Sequence, residues 1–106
     1  MQKQKRIKVL IVDDSAVFRQ LIARGISADP GITVVATASD PFDARDKILV
    51  HHPNVMVCDV HMPKMNGIEF LRKLLPQYPI PVIVISTVST LVFDAMNAGA
   101  VDFIPK

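Results

Sequence analysis

The chain is poor in cysteine: Cys58 is the only one in 106 residues, and it sits inside an apolar run. A disulfide within the chain is therefore excluded, which fits a reducing compartment. Long apolar stretches are missing as well. The runs here are four to six residues long, far short of the ~20 needed to cross a bilayer. The apolar stretch behind the basic N-terminus stops at Asp13-Asp14, too early for a secretory signal with its small-residue cleavage site. A cytoplasmic location is expected. No glycine-rich phosphate loop occurs, which argues against direct use of ATP, and there is no internal repeat or low-complexity segment. A dominant charge of one sign is also lacking. The net charge of +2 rests on Lys3, Lys5, Arg6 and Lys8; without these four, eight basic residues face ten acidic ones. With no basic face or aromatic platform beside them, residues 1–5 read as a solvated basic flank and not as a nucleic-acid contact.

What is present is apolar material in an ordered pattern. Half of the residues are hydrophobic and mean hydropathy is +0.34, enough for the core of one small domain. Short β-branched runs alternate with amphipathic stretches, the pattern of an α/β fold. Strands are expected at 7–12, 32–37, 55–59, 82–85 and 101–104. A first helix is expected over 15–28, capped by Ser15, with Val17, Phe18, Leu21, Ile22, Gly25 and Ile26 on one side. Asp29-Pro30-Gly31 signals a turn. Asp40-Pro41 reads as an N-cap followed by proline at the first helical position, opening a helix to about Val50 with Phe42, Ala44, Ile48 and Leu49 available for packing. His51-His52-Pro53 ends it, and a histidine there suits the negative end of a helix. A third helix is expected over 67–75, with Ile68, Leu71, Leu74 and Leu75 inward, and a fourth within 89–98, stopping at Gly99. Met56, Met62, Met65 and Met96 read as packing residues, Cys58 as a small buried hydrophobe, and Arg19 as solvated. A fifth helix would be expected after Lys106 to cover the sheet beside the first, so the chain reads as C-terminally truncated.

Four of the apolar runs end in chemistry. The first delivers Asp13-Asp14, the third Asp59, the fourth Ser86-Thr87 and the last Pro105-Lys106. In an open parallel sheet, ligands bind at the carboxyl ends of the strands. If the first and third strands are neighbours, three carboxylates meet, and repulsion raises at least one of their pKa values. A divalent cation resolves the conflict. Hard oxygen donors without a Cys or His cluster favour Mg²⁺ over Zn²⁺. One carboxylate is then free to act as a nucleophile toward phosphorus, with Lys106 and the Ser86 hydroxyl aiding the transferring group. A single aspartate at a strand end is ordinarily a turn or helix cap; the coincidence of all these groups is not explained that way.

Val12-Asp13-Asp14-Ser15, Asp59 with Met62-Pro63 and Asn66-Gly67, Ile85-Ser86-Thr87, and Gly99-Ala100 with Lys106 together resemble the motifs of a two-component response regulator receiver domain, over residues 6–106. The resemblance implies a flavodoxin-like (CheY-like), doubly wound, five-stranded parallel sheet of order 2-1-3-4-5. It implies Asp59 as phospho-acceptor, and Mg²⁺ held by Asp13, Asp14, Asp59 and the backbone carbonyl of His61. It further implies Ser86 as switch hydroxyl, Lys106 as phosphate-binding lysine and Phe103 as switch aromatic. A histidine kinase is the implied phosphodonor. Residues 13–20 and 99–106 are similar to the receivers of chemotaxis protein-glutamate methylesterases (CheB). That implies a C-terminal esterase domain in cis, contact with chemoreceptors through the parent protein, and no methylesterase activity in this chain alone. The alternatives are a receiver of a transcriptional or stand-alone regulator, and a Mg²⁺-dependent phosphohydrolase of the haloacid-dehalogenase type, although its nucleophile lies in an Asp-x-Asp pattern and here Asp13 and Asp14 are adjacent. Ser86 and Lys106 are 20 positions apart, short for the family, with the loss falling after Thr87. Phe103 lacks the hydroxyl of the common tyrosine. His61 is unusual beside the acceptor, where only its backbone is required.

Overall fold

The structure, a computed structural model, describes residues 6–62 and 64–106. The basic flank 1–5 and Pro63 of the Met62-Pro63 pair lie outside the described residues. The chain alternates strand and helix: β1 (Ile7–Val12), α1 (Ala16–Ser27), β2 (Ile32–Ala38), α2 (Pro41–His51), β3 (Val55–Asp59), α3 (Gly67–Leu74), β4 (Val82–Ser86), a 3₁₀ turn (Ser89–Leu91), α4 (Val92–Asn97) and β5 (Asp102–Pro105). All strand pairs are parallel, in the order β2-β1-β3-β4-β5. This is the expected five-stranded receiver-type sheet.

Local chemistry accounts for the helix starts. Ser15 accepts from the Phe18 backbone N–H, Asp40 from Asp43 and Asn66 from Glu69, each relieving an orphan donor of a first turn. Pro41 at the start of α2 has no N–H to lose. Asp29 Oδ1 accepts from Gly31 N–H at 2.8 Å in the expected turn. At its end, α2 closes with His52 in the left-handed region (φ 47°), its ring nitrogen 3.3 Å from the Tyr78 hydroxyl.

The main apolar cluster lies on the side of the sheet carrying α2, α3 and α4: Leu10, Met56, Val82 and Val84 of the strands meet Ile48, Leu71 and Ala95 of the helices. Met62 and Met65 pack against it. A smaller cluster of Val9, Ile11, Val57 and Ile85 lies on the α1 side, covered in part by Ile22, Ala23 and Ile26. At ~25 cal/mol per Å² of apolar surface, this burial is the main favourable term.

The helix faces require corrections. Val17 and Leu21 of α1 are 68% and 56% exposed, and no α1 residue is fully buried. The helix seats on the sheet by a narrower stripe, with Ile22, Ala23 and Ile26, so its apolar face is only half covered. In α2, Ala44 and Ile48 are buried, whereas Phe42 and Leu49 are half-exposed on another side. Phe70 of α3 is buried although the periodic pattern did not select it, and Met96 is 43% exposed. Ser86 belongs to β4 and β5 runs one residue later than expected, because their ladder pairs Ser86 with Pro105. The expected fourth helix is a 3₁₀ turn plus six helical residues. No helix among the described residues is long and apolar enough to cross a membrane.

Candidate functional site

Adjacency of β1 and β3, with Val12 opposite Cys58, carries the two acidic strand ends to one place. Carboxylate oxygens of Asp13, Asp14 and Asp59 all lie within 4.8 Å of one another, the one such cluster of potential metal ligands among the described residues. The His51-His52 pair is not part of it. Asp13 and Asp59 are 1% and 4% exposed, while Asp14 faces solvent.

The opposite charge arrives from the far edge of the sheet. Lys106 follows β5, and its backbone N–H extends the ladder by donating to the Ser86 carbonyl at 2.9 Å. From there its Nζ reaches Asp13 Oδ2 at 2.9 Å and Asp59 Oδ2 at 3.4 Å. The short segment after Thr87 therefore does not prevent the strand ends from converging. Asp13 is engaged further: Oδ1 accepts from Ser15 N–H at 2.9 Å, and its backbone carbonyl accepts from Arg19 Nη1 at 2.6 Å. Arg19, expected to be solvated, instead ties α1 to the end of β1.

The electrostatics follow from burial and crowding. Desolvation pushes the Asp59 carboxyl above its ordinary value, the Asp13 charge adds to this, and the attraction and hydrogen bond of Lys106 and the His61 N–H offset it only in part. The rise expected for a crowded carboxylate is thus located on Asp59. Desolvation works against the Lys106 ammonium, but its hydrogen bond to Asp13 and the charge of Asp59 outweigh it and hold its pKa above the ordinary value. Burial, then Asp59 and Asp13, push the Cys58 thiol far up, so it is an inert buried thiol.

The donor set fits a hard divalent cation. It consists of carboxylate oxygens from three residues within 4.8 Å of one another, with free lone pairs and with Asp14 facing solvent. The backbone carbonyl of His61 lies two residues beyond Asp59, next to this cluster in sequence. Ser86 is fully buried at the end of β4, its Oγ accepting from Val88 N–H at 3.0 Å, which leaves its own proton free to donate. Phe103 sits opposite Val84, half-buried against the main cluster. A cleft of about 710 Å³ between α3 and α4 borders His61, with Glu69, Arg72 and Asp94 along it. None of the three carboxylates lines the cleft, so the acidic cluster at the strand ends and this cleft are separate features.

One neighbour was not foreseen as part of the site. The Phe18 ring lies under Lys106, with Nζ 4.1 Å from its centroid. The clue in the sequence is position: Phe18 is in the first turn of the helix that leaves Asp13-Asp14, and helical side chains lean back toward the N-terminus.

This fold, with an acidic cluster at adjacent strand ends and a lysine arriving from the edge strand, defines a class. The chain belongs to the response regulator receiver domain family, which matches residues 9–106. Within that family it is similar to the CheB group. It is 64% identical over 102 residues to protein-glutamate methylesterase/protein-glutamine glutaminase 2 of Syntrophomonas wolfei, covering 96% of this chain and 30% of that protein. The corresponding enzyme of Syntrophotalea carbinolica is 49% identical over 106 residues, again covering 96% of this chain and 30% of that protein. The response regulator domain of Thermotoga maritima CheB superposes with a TM-score of 0.89 at 38% identity, covering 96% of this chain and 79% of that one. The chain thus spans about 30% of the length of these curated relatives.

Proposed function

We propose that this chain is the phospho-accepting switch of a two-component, chemotaxis-type protein, with Asp59 as acceptor and a histidine kinase as donor. An Asp59 oxygen attacks phosphorus, the bond from phosphorus to the donor histidine nitrogen breaks, and the electron pair remains on that nitrogen, which is then protonated. Asp13, Asp14, Asp59 and the His61 carbonyl would hold Mg²⁺. When bound, the ion supplies charge neutralisation for the carboxylates and the incoming phosphoryl oxygens. Lys106 compensates charge on the phosphoryl group and Ser86 donates a hydrogen bond to one of its oxygens. Movement of Ser86 and repacking of the half-buried Phe103 then signal the state to a partner, provided that partner binds the two states differently.

The observation that carries this reading is the meeting of three carboxylates within 4.8 Å with one lysine spanning two of them. The names and lengths of the relatives support a parent with a C-terminal methylesterase and glutamine deamidase in cis. In that parent the domain acts in the cytoplasm, controls the effector and reaches chemoreceptors through it; by itself it hydrolyses no methyl ester. Incubation with a ³²P-phosphorylated chemotaxis histidine kinase should move label to this chain and not to Asp59→Asn. Label that stays on the kinase, or reaches the variant equally, overturns the reading.

A further inference from the structure

Lys106 is held on two sides, and only one of them is acidic. Its ammonium meets Asp13 and Asp59 at 2.9 and 3.4 Å, and on another side the Phe18 ring, 4.1 Å to the centroid. The lysine side chain is only 12% exposed as a result. The backbones that carry the two side chains are fixed independently of the contact. Phe18 is placed by the Ser15 cap, whose Oγ accepts its backbone N–H at 3.2 Å, and by the Arg19 anchor on the Asp13 carbonyl. Lys106 is placed by its ladder bond to Ser86. A lysine stem is long and its ammonium strongly hydrated, so an unsupported one would sample water. A ring face attracts the cation and excludes water without competing for its N–H donors.

We propose that Phe18 is a positioning residue for Lys106, keeping the ammonium at the acceptor carboxylate in a water-poor place where its charge acts strongly on a transferring phosphoryl group. This rests on the acceptor reading above. The contribution is geometric and electrostatic, so a side chain of similar bulk without a π face does not replace it, whereas another aromatic does. The carboxylates lose net charge once a cation is bound, and the ring then remains as the lysine's neutral partner.

The test uses wild type, Phe18→Leu and Phe18→Tyr. In metal-free protein, proton NMR of the Lys106 ε-methylene should show an upfield ring-current shift in wild type and Phe18→Tyr and none in Phe18→Leu. With acetyl phosphate and Mg²⁺, Phe18→Leu should be labelled roughly 3- to 30-fold more slowly, the range that a cation–π contact commands. Its calorimetric Mg²⁺ affinity should not fall, since the ammonium opposes the cation at the same carboxylates, and Phe18→Tyr should restore the rate. An unshifted methylene in wild type, a rate for Phe18→Leu equal to wild type, or a loss that Phe18→Tyr fails to restore overturns the proposal. A wild type that shows the shift but takes no label sinks the acceptor reading itself, and with it any role of the contact in transfer.

Discussion

At the scale of single residues the site is a compromise between charge and burial. Asp59 is almost fully buried beside another carboxylate, and a single lysine shared between the two does not restore its ordinary pKa. A buried ion pair of this kind is poor evidence of stabilisation, since desolvation opposes attraction. The linkage has a definite sign. The folded state binds the Asp59 proton more tightly than the unfolded chain does, so stability falls as pH rises from the ordinary carboxylate range, about pH 4, to the raised native value. Above that window the penalty is fully present. Metal-free Asp59→Asn should therefore melt a few degrees above wild type at pH 7, with the gap closing near pH 3. Thermal melts in chelator decide this; a variant that melts below wild type at pH 7 would contradict the electrostatic account.

At the scale of elements, the loop between β3 and α3 is shaped by close backbone contact. Gly67 N–H donates to the Val60 carbonyl at 2.7 Å, and a Cβ at Gly67 would overlap the carbonyl oxygen of Asp59. Backbone, not a flexible side chain, is in the way. Gly67→Ala should cost about 1–3 kcal/mol in urea unfolding, as overpacking does, because the β3–α3 connection must shift. A change below about 0.5 kcal/mol would show that the loop yields freely. Gly99 is needed for a different reason: its φ of 111° suits glycine, and Leu75 occupies the space where a side chain would go.

These elements also show what the sequence made legible. Helix starts at Ser15 and Asp40 were readable because a cap is a contact within four residues. The strands were readable because buried parallel strands are continuous β-branched runs. Which apolar residues of α1 and α2 face inward was not, since that depends on how each helix sits on the sheet: Leu21 and Ile22 are adjacent in sequence but differ in burial. The convergence of Asp13, Asp14 and Asp59 was readable once β1 and β3 were taken as neighbours. The Phe18–Lys106 contact was not, because it joins opposite ends of the chain through a register that only the β4–β5 ladder sets. Arg19 was misread for a similar reason: its partner is a backbone carbonyl, which leaves no trace in residue type.

At the scale of the whole molecule, the sheet acts as a frame that gathers groups from distant segments. The order β2-β1-β3-β4-β5 puts the acidic strand ends of β1 and β3 side by side, with Ser86 next and Lys106 at the edge. Ser86 is fully buried in β4 and Phe103 of β5 packs half-buried against the main cluster, so under the proposed function a phosphoryl group on Asp59 would act on Phe103 through them. On the α1 side the cover is thinner, and Ile104 is 45% exposed. The account stands on transfer of a phosphoryl group to one carboxylate. The most direct measurement is intact-protein mass spectrometry after incubation with acetyl phosphate, with and without Mg²⁺. One phosphoryl adduct that requires Mg²⁺ and is absent in Asp59→Asn is the predicted result. No adduct on a folded wild type that binds Mg²⁺, or an equal adduct on the folded variant, would contradict it.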